Sequence, residues 1–353
     1  MKKKLFYNVI IIFVLIIFNS SNNKSLNQKV AIAYGLNNKY IYPTIVSMTS
    51  ILENRFIHTY YIFYLLVDKI TFKLADKKKL MNIENKYERC EVNIIEIPKD
   101  MIKHANTKRY PISAYYRLLL SELIPNLNRI IYLDGDTLIY TDLTEMFNLE
   151  MGKNVMLGFV DNAYNKAKKF GIKTYKYIVS GILLINLKTI RRENISTQFF
   201  DFIDKNKDRL AQEDQTVINI VLHGRIDFLP PKYGIWNFCN KKAVLYHNKY
   251  SNEKLGIKAY NKKEILKAYN SPSIIHFVRG KPWKSKTKHT NIRFHNDWWK
   301  YAKLTDVYEK IISYYGKIKW IFFKSFSKFY KEKTKIIFNI TKNGNWLGIL
   351  IIK

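Results

Sequence analysis

The chain has 353 residues, of which 47% are hydrophobic and 15% aromatic, so it can bury a substantial core and is not a disordered polymer. Lysine and arginine total 60 against 28 acidic residues. The resulting net charge of +32 favours an anionic partner, although a general bias toward lysine, asparagine, isoleucine and tyrosine accounts for part of it. The sequence lacks RNP spacing, paired Cys/His fingers and basic heptads, so we expect a membrane surface and no nucleic acid.

Residues 1–28 differ in composition from the rest of the chain. Three lysines, Lys2 to Lys4, precede an apolar run from Val9 to Phe18, a pattern typical of a signal peptide or a short membrane anchor. The run is shorter than the roughly 20 apolar residues that span a bilayer. No small-residue cleavage site follows it, so we expect a retained membrane-associating segment. The two cysteines, Cys90 and Cys239, predict neither a disulfide framework nor a zinc cluster, and a reducing compartment is the default.

From residue 29 onward, short β-like runs alternate with stretches of helical apolar spacing. The predicted strands are VAIAY (30–34), YYIFYLLV (60–67), VNIIEI (92–97), RIIYL (129–133), GILLINL (181–187) and SIIHFV (273–278). The predicted helices cover residues 43–55, 112–123 and 213–222. This order predicts an α/β fold built on a doubly wound, mostly parallel sheet.

Beyond Trp283 the composition becomes basic and aromatic. A helix over residues 314–335 would be flanked densely by lysines. It would place four aromatic residues on one stripe: Trp320, Phe323, Phe326 and Tyr330. Such a basic amphipathic helix is typical of a membrane interface. A helix packed on the protein's own core would carry the same stripe, and Phe322 and Phe329 fall outside it, so the second interpretation stays open.

The strongest local motif is Asp134-Gly135-Asp136, which directly follows the buried strand RIIYL. Two carboxylates at positions i and i+2 can share a hard divalent cation, and the glycine between them lets the backbone approach that cation closely. Substrate phosphates would complete the coordination of such a metal. Acidic pairs in turns are most often only solvated, so the motif gains weight from its position at the end of a strand.

Four motifs together resemble glycosyltransferase family 8, which includes lipopolysaccharide galactosyl- and glucosyltransferases and glycogenin. They are residues 113–143, SGILLINLKTIRR (180–192), EDQTVIN (213–219) and HFVRGKPW (276–283). The resemblance implies a GT-A type, Rossmann-like nucleotide-diphospho-sugar transferase domain over residues 29–302. The basic and aromatic composition then predicts a membrane-associating tail over residues 303–353. The family resemblance also implies that galactose or glucose passes, with retention, from a UDP-sugar to a glycan or glycolipid acceptor such as lipopolysaccharide.

The resemblance also assigns roles around the donor. Asp134, Asp136 and His276 match the ligands of the metal, Mn²⁺ or Mg²⁺. Lys281 matches the lysine that holds the donor diphosphate, and Arg117 matches an arginine that reaches the donor. Taken alone, His276 is more typical of an ordinary strand-end histidine, and the two basic residues are more typical of a solvated surface.

Two further pairs match positions beside the donor sugar. Asp214 and Gln215 match a pair next to the anomeric carbon, where a carboxylate and an amide can orient the sugar and stabilise positive charge developing on its ring. Ser180 and Gly181 match small residues that let the sugar lie close to the backbone. Without the resemblance, the first pair suits a helix start and the second a strand start.

Three departures from the family pattern concern the donor site. The turn after the first strand lacks the family's aspartates and offers Asn37 and Tyr40 toward the base. Val179 replaces a frequent asparagine. In the closing motif, Gly280 and Lys281 follow His276 by four and five residues, whereas three and six are more common, so the loop is short.

Two other functions remain open at the level of sequence. A nucleotidyltransferase can use a similar sheet and paired carboxylates, but the single glycine after the first strand disfavours a phosphate-binding loop. A catalytically silent, membrane-bound carbohydrate-binding relative would have lost the Asp134/Asp136 or Asp214/Gln215 pair, and both are present. We expect the inner face of the membrane if the protein is bacterial and the Golgi lumen if it is eukaryotic, because those compartments hold nucleotide sugars.

Overall fold

The computed structural model describes most of the central part of the chain. These residues are 28–102, 111–161, 169–171, 176–206, 210, 213–237, 259–278, 280–284 and 293–315, with the backbone of 339–340 and 346–347. The predicted N-terminal segment, apart from Gln28, lies outside the described residues. The predicted helix over 314–335 also lies outside them, apart from Tyr314 and Tyr315.

Strands and helices alternate along the described chain, as the apolar patterning predicts. The strands are β1 (Lys29–Leu36), β2 (Tyr60–Asp68), β3 (Cys90–Ile97), β4 (Arg129–Leu133), β5 (Thr137–Ile139), β6 (Met156–Val160), β7 (Ile178–Asn186), β8 (Ile226–Phe228), β9 (Ile235–Trp236), β10 (Ile274–His276), β11 (Asn339–Ile340) and β12 (Trp346–Leu347). The helices are α1 (Ile41–Glu53), α2 (Leu74–Met81), α3 (Ile83–Lys86), α4 (Leu120–Leu123), α5 (Thr144–Phe147), α6 (Leu187–Arg192), α7 (Ile195–Asn206), α8 (Glu213–Val221), α9 (Lys262–Asn270) and α10 (His295–Lys303). Short 3-10 helices cover Asn38–Tyr40, Lys99–Ile102, Ile112–Leu119 and Pro231–Tyr233.

Seven strands form the central sheet in the order β3-β2-β1-β4-β7-β6-β8. The pairs β3-β2, β2-β1, β1-β4 and β6-β8 are parallel, whereas β7 runs antiparallel to both β4 and β6. The predicted mostly parallel sheet is therefore confirmed. The reversed β7 matters for the site, because it brings the beginning of β7 beside the end of β4.

A second sheet of three strands, ordered β5-β10-β9, lies next to the first. The predicted strand SIIHFV belongs to this sheet, where β10 pairs antiparallel with β5 and parallel with β9. Its register places His276 opposite Thr137, directly after the Asp134-Gly135-Asp136 turn. Sequence periodicity could not predict this pairing, because residues 137 and 276 lie far apart in the chain.

Both faces of the central sheet are buried, which explains the almost uninterrupted apolar strands. In β1, Val30, Ile32 and Tyr34 join one hydrophobic cluster, while Ala31 and Ala33 join the cluster on the opposite face. Successive side chains of a strand point to opposite faces, so this alternation is the expected one. The small alanines leave room on their face for the helical turn that contains Tyr115 and Tyr116.

Two boundaries differ from the sequence prediction. The helix predicted over residues 112–123 consists of a 3-10 helix, Ile112–Leu119, followed by the single turn of α4. At the other end, Val307, Ile311 and Tyr315 are buried against the main cluster at a spacing of four, which is one face of a helix. The packed domain therefore extends to Tyr315, beyond the predicted limit of 302. Within the described part of the chain, no helix has the length and apolar character needed to cross a membrane.

Candidate active site

A cleft of about 450 Å³ opens at the carboxyl ends of β1 and β4. Open α/β sheets generally bind ligands at this edge. The cleft is lined by every predicted site residue except Gly280: Asn37, Tyr40, Arg117, Asp134, Asp136, Ser180, Gly181, Asp214, Gln215, His276 and Lys281. Segments from the whole length of the domain thus converge on one place.

Asp134, Asp136 and His276 form a compact group of oxygen and nitrogen ligands. Their ligand atoms all lie within 4.8 Å of one another. The His276 Nε2 atom is 3.1 Å from Asp136 Oδ1 and 3.7 Å from Asp134 Oδ2. The turn between β4 and β5 supplies the carboxylates, and the pairing of β5 with β10 supplies the imidazole. This donor set suits a divalent cation such as Mn²⁺ or Mg²⁺.

Gly181 keeps the group open. A Cβ atom added there would lie 2.5 Å from Asp134 Oδ2 and 2.5 Å from the His276 Cε1 atom. Its carbonyl accepts a hydrogen bond of 2.8 Å from the Asp134 backbone N–H, because the start of β7 lies beside the end of β4. The family resemblance relates this glycine to the donor sugar, but its closest neighbours in the structure are two of the three candidate metal ligands.

Asp136 is 5% exposed and contacts the side chains of Lys281, Tyr40 and His276. The Lys281 ammonium donates to Asp136 Oδ2 and to the Phe277 carbonyl. The Tyr40 hydroxyl donates to the same Asp136 oxygen over 3.4 Å. Burial works to raise the pKa of Asp136, but Lys281 and then His276 hold that pKa well below its usual value. A buried anion with displaceable cationic neighbours is well suited to bind a metal ion.

Arg117 bridges the carboxylates of Asp134 and Asp214, which both line the cleft. Its Nη2 atom donates to Asp134 Oδ1 over 3.0 Å, and its Nε atom lies 3.2 Å from Asp214 Oδ2. The guanidinium also donates to the Ala114 and Ser180 carbonyls and stacks on the Tyr132 ring at 4.3 Å. Burial works to lower the pKa of Arg117, yet Asp134 and Asp214 raise it above its usual value. The guanidinium therefore stays charged and fixes the spacing of the two acids.

The Gln215 amide is held by hydrogen bonds at both ends. Its Oε1 atom accepts from the Ser180 N–H over 3.3 Å, and its Nε2 atom donates to Asp161 Oδ2 over 2.7 Å. One turn further along α8, Asn219 exchanges two hydrogen bonds of 2.8 Å with the backbone of Ile178 in β7. These contacts fasten the start of α8 to the start of β7, so the amide is preorganised at the wall of the cleft.

A chain of hydrogen-bonded, buried hydroxyls contacts the backbone of the Asp134-Gly135-Asp136 turn. The Thr137 hydroxyl donates to the Asp134 carbonyl over 2.9 Å, lies 2.9 Å from the Ser47 hydroxyl, and Ser47 in turn is 3.0 Å from the Tyr34 hydroxyl. Since Thr137 has one proton and donates it to Asp134, Ser47 must donate to Thr137 and Tyr34 to Ser47. Burial raises the pKa of Tyr34, so its phenol stays protonated and can begin this chain.

Two residues of the site were not predicted from the sequence. Asp161 follows directly after β6 and lines the cleft, as Asp134 does after β4, so the pattern of an acid after an apolar strand could have identified it. Asn237 follows β9, donates its backbone N–H to the His276 carbonyl over 3.2 Å, and donates its amide to the Gly280 carbonyl over 3.1 Å. Asn237 thus holds both ends of the short loop, in which Gly280 has a φ of +65°. No local sequence signal identifies it.

The family model for glycosyl transferase family 8 matches residues 31–287, which is most of the chain. The chain belongs to glycosyl transferase family 8. As a member of this family the protein is a glycosyltransferase, which decides against the nucleotidyltransferase alternative. A sugar donor and a glycan acceptor follow from that membership.

Individual relatives agree with the family assignment. The chain is 29% identical over 225 residues to the General stress protein A of Bacillus subtilis, covering 62% of this chain and 75% of the relative. It is 24% identical over 235 residues to a Lipopolysaccharide 1,2-glucosyltransferase of Escherichia coli, covering 63% of this chain and 68% of that one.

The solved structure of the galactosyltransferase LgtC, in complex with donor and acceptor sugar analogs, has the same fold. It matches with a TM-score of 0.63 and 19% identity, over 78% of this chain and 96% of that chain. The family 8 domain is therefore of the GT-A type, as the motifs imply.

Proposed function

We propose that this family 8 enzyme transfers galactose or glucose from a UDP-sugar to a glycan or glycolipid acceptor, with retention at the anomeric carbon. The observation that carries the proposal is the convergence of Asp134, Asp136 and His276 beside the Asp214/Gln215 pair in one cleft. A metal group next to a preorganised carboxylate and amide offers separate places for a diphosphate and a sugar. The name of the Escherichia coli relative supports glucose and lipopolysaccharide, and that of LgtC supports galactose.

The metal that we propose is Mn²⁺, held by Asp134, Asp136 and His276. The fit rests on this chain's own geometry, because the hydrogen of Gly181 leaves space that any Cβ atom would fill. When bound, the cation would neutralise charge on the donor diphosphate and on the leaving UDP. Lys281 and Tyr40 already contact Asp136 and lie where they can donate to the same phosphates.

The donor sugar would lie between the metal group and α8. The guanidinium of Arg117 bridges the Asp134 and Asp214 carboxylates, and Ser180 and Gly181 line the same cleft. Gln215, fixed by Ser180 and Asp161, would direct its amide dipole at the anomeric carbon and stabilise the charge that develops there. The Asn37 side chain accepts a hydrogen bond from the Lys39 N–H over 3.0 Å at the lining of the cleft, and it would contact the base of the donor.

Donor hydrolysis tests the proposal most directly. The purified protein would be incubated with a panel of UDP-, GDP- and ADP-hexoses, with manganese, magnesium, calcium or excess chelator, and release of the nucleoside diphosphate would be measured. We expect the highest rate with UDP-galactose or UDP-glucose and manganese. Equal rates with all bases, or full activity in chelator, would contradict the donor or the metal assignment, respectively.

We also propose that the enzyme works against an anionic membrane, on the cytoplasmic face if the protein is bacterial and in the Golgi lumen if it is eukaryotic. Bacterial relatives and the location of nucleotide sugars support the cytoplasmic face. The basic and aromatic composition of residues 316–335 supports a membrane-associating tail. Because Tyr315 is buried in the folded domain, the tail should be removed after residue 315 rather than before it.

Removing residues 316–353 should weaken binding to anionic vesicles and leave donor hydrolysis in solution intact. Sedimentation with phosphatidylglycerol-containing vesicles measures the first effect, and nucleotide release without vesicles measures the second. If the shortened protein hydrolyses donor normally and binds vesicles as tightly as the full chain, the tail has no membrane role.

A further inference from the structure

We infer that the folded domain itself has a membrane-docking surface beside the cleft, formed by the loops after β1, β2 and β3 and by the exposed side of α2. This inference rests on the glycolipid acceptor proposed above. We call it the lysine edge. Its members are Lys39, Lys69, Ile70, Lys73, Leu74 and Lys99, all of which are exposed.

The topology brings these residues together. The strands β3, β2 and β1 are adjacent and parallel, so their carboxyl ends meet at the same edge of the sheet. Hydrogen bonds join the loops: the Asn38 side chain donates to the Thr71 carbonyl over 3.0 Å, and the Lys69 N–H donates to the Ile97 carbonyl over 3.2 Å. Lysines that follow three different strands therefore present one basic surface.

Two large aliphatic side chains project among these lysines. Ile70 is 67% exposed and Leu74 is 66% exposed. They are four residues apart, and the exposed Lys78 and Met81 continue the line from Leu74 along α2 at helical spacing. Exposed aliphatic groups that are flanked by lysines match the two layers of an anionic bilayer surface, where acyl chains lie beneath phosphate groups.

Most acidic groups near the lysine edge are either buried or paired with a lysine. Asp68 is 8% exposed, and its Oδ1 atom accepts from the backbone of Ile70 and Thr71. Asp76 pairs with Lys79 at 2.7 Å. Asp100 is exposed, but it stands beside Lys99 and leaves the surface positive. An anionic partner would therefore meet little repulsion.

The path of the chain favours a membrane over nucleic acid as the partner. The described domain ends at Tyr315, and the ring of its neighbour Tyr314 lies 5.4 Å from the Tyr42 ring in a tilted arrangement. Lys79 of α2 lies 5.9 Å from the same Tyr42 ring. The described chain thus ends beside α2, and the basic, aromatic residues 316–335 follow it in the sequence. A bilayer that receives those residues would also meet the lysine edge. Asn37 and Tyr40, on either side of Lys39, line the cleft, so a lipid-linked acceptor would be within its reach.

Vesicle binding by the full chain tests the surface. Ile70→Ser with Leu74→Ser should weaken binding to phosphatidylglycerol vesicles at least about tenfold. Lys69→Gln with Lys73→Gln should weaken it about fivefold for each lysine at low salt.

The matched controls are two pairs of exposed residues far from the lysine edge. One pair is Phe56→Ser with Ile57→Ser, whose side chains are 66% and 78% exposed at the other end of β2, and the other is Lys262→Gln with Lys263→Gln on α9. The controls should bind as the unaltered chain does, and equal losses in both sets would overturn the inference.

A local probe reports on this surface independently of the tail. Leu74→Cys, in a chain with Cys90→Ser and Cys239→Ser, would carry an environment-sensitive fluorophore, and Ile57→Cys would carry the same label as a control. The Leu74 label should shift to the blue with anionic vesicles and not with phosphatidylcholine alone, while the Ile57 label should not respond. No response at position 74 would overturn the inference even if the whole protein binds.

Two further measurements separate the possible failures. Donor hydrolysis without vesicles should be unchanged in all of these variants, because none of the altered residues that the structure describes lines the cleft. A protein without hydrolysis that still shows the label shift would contradict the proposed catalysis and leave the surface standing. If single-stranded oligonucleotides compete away binding and the variants lose only oligonucleotide affinity, the surface binds nucleic acid and the membrane inference is wrong.

Discussion

Two buried aspartates near the end of the first half of the domain have opposite surroundings. Asp136 is 5% exposed and contacts the cationic Lys281 and the candidate metal ligand His276. Asp142 is 6% exposed, and its partners are neutral donors: the Phe56 N–H at 2.9 Å, the Tyr61 hydroxyl at 3.0 Å and the Thr144 N–H at 2.8 Å.

The difference shows how the same residue type can serve binding in one place and stability in another. The donors around Asp142 belong to the backbone and to a packed phenol, so they cannot leave, and the carboxylate is permanently solvated by the protein. The partners of Asp136 are the end of a flexible lysine and an imidazole at the wall of a cleft. A divalent ion or a phosphate can replace or rearrange them, so burial alone does not identify a site.

The largest expected effect comes from Asp136→Asn. Loss of a metal ligand should abolish manganese-dependent donor turnover, well beyond the roughly 10–100-fold cost of losing an outer partner of a metal ligand. The melting temperature should change little, and a thermal melt beside a manganese titration of nucleotide release checks both points. Unchanged turnover would remove Asp136 from the metal site.

The next largest effects on donor turnover are expected for Gln215→Ala and Lys281→Ala. A group that acts mainly in the transition state lowers kcat and kcat/KM together, whereas a group that anchors the ground-state donor mainly raises KM. Gln215→Ala should therefore lower kcat, by at most about 2.7–4 kcal/mol in activation free energy. Lys281→Ala should chiefly raise the KM of the donor. Steady-state measurement of kcat and KM for both variants distinguishes these roles. If Gln215→Ala leaves both constants unchanged while Lys281→Ala lowers only kcat, the two roles are reversed.

A smaller effect is expected for Gly181→Ala, because its Cβ atom would meet Asp134 and His276 at 2.5 Å and displace them. Manganese affinity, measured by calorimetry, should fall about 10–100-fold. Gly224→Ala is the matched control: with a φ of +77° and open space around it, it should cost stability of about 1–2 kcal/mol without changing metal affinity. If both glycine variants bind manganese equally well, Gly181 is not required for the metal group.

The smallest effect on activity should follow Asp142→Asn. An amide there would direct its own N–H donors toward groups that also donate, so we expect a loss of about 1–3 kcal/mol in the free energy of unfolding. Manganese affinity and kcat should stay the same, because this carboxylate touches neither the cleft nor its ligands. Denaturant melts measure the loss of stability, and donor hydrolysis measures kcat and the dependence on manganese. A selective loss of manganese affinity would mean that Asp142 and Asp136 are coupled.

Much of the fold could be predicted because its signals are local. The apolar runs at 30–34, 60–67, 92–97 and 129–133 all fall within strands of the central sheet. The short strands β5, β8 and β9 were not predicted, since two or three residues give no periodicity. The basic and aromatic residues 303–315 resembled a tail by composition, but the spacing of Val307, Ile311 and Tyr315 is that of a packed helix.

The residues of the candidate site also differ in whether a local sequence signal identifies them. Asp134 and Asp136 could be identified from the strand before them, whereas His276 and Lys281 could be related to them only through the family resemblance. The roles of all these residues stay predictions until the variants above are measured. Asp161 was missed because the strand before it, β6, was not among the predicted strands. Asn237 was missed because a single amide in a loop is a common feature without special meaning in a sequence.

By itself, the sequence determined the alternation of strands and helices, the acidic turn at the end of β4 and the excess of positive charge. These features depend on the order of neighbouring residues, because backbone sterics and the burial of apolar side chains act on short stretches of the chain. Only the tertiary structure decided that β7 runs backward, that β10 joins a second sheet, and that the Gly181 backbone lies against Asp134 and His276. These contacts join segments about 45 to 140 residues apart, and such pairings are selected by the packing of the whole core rather than by any local pattern.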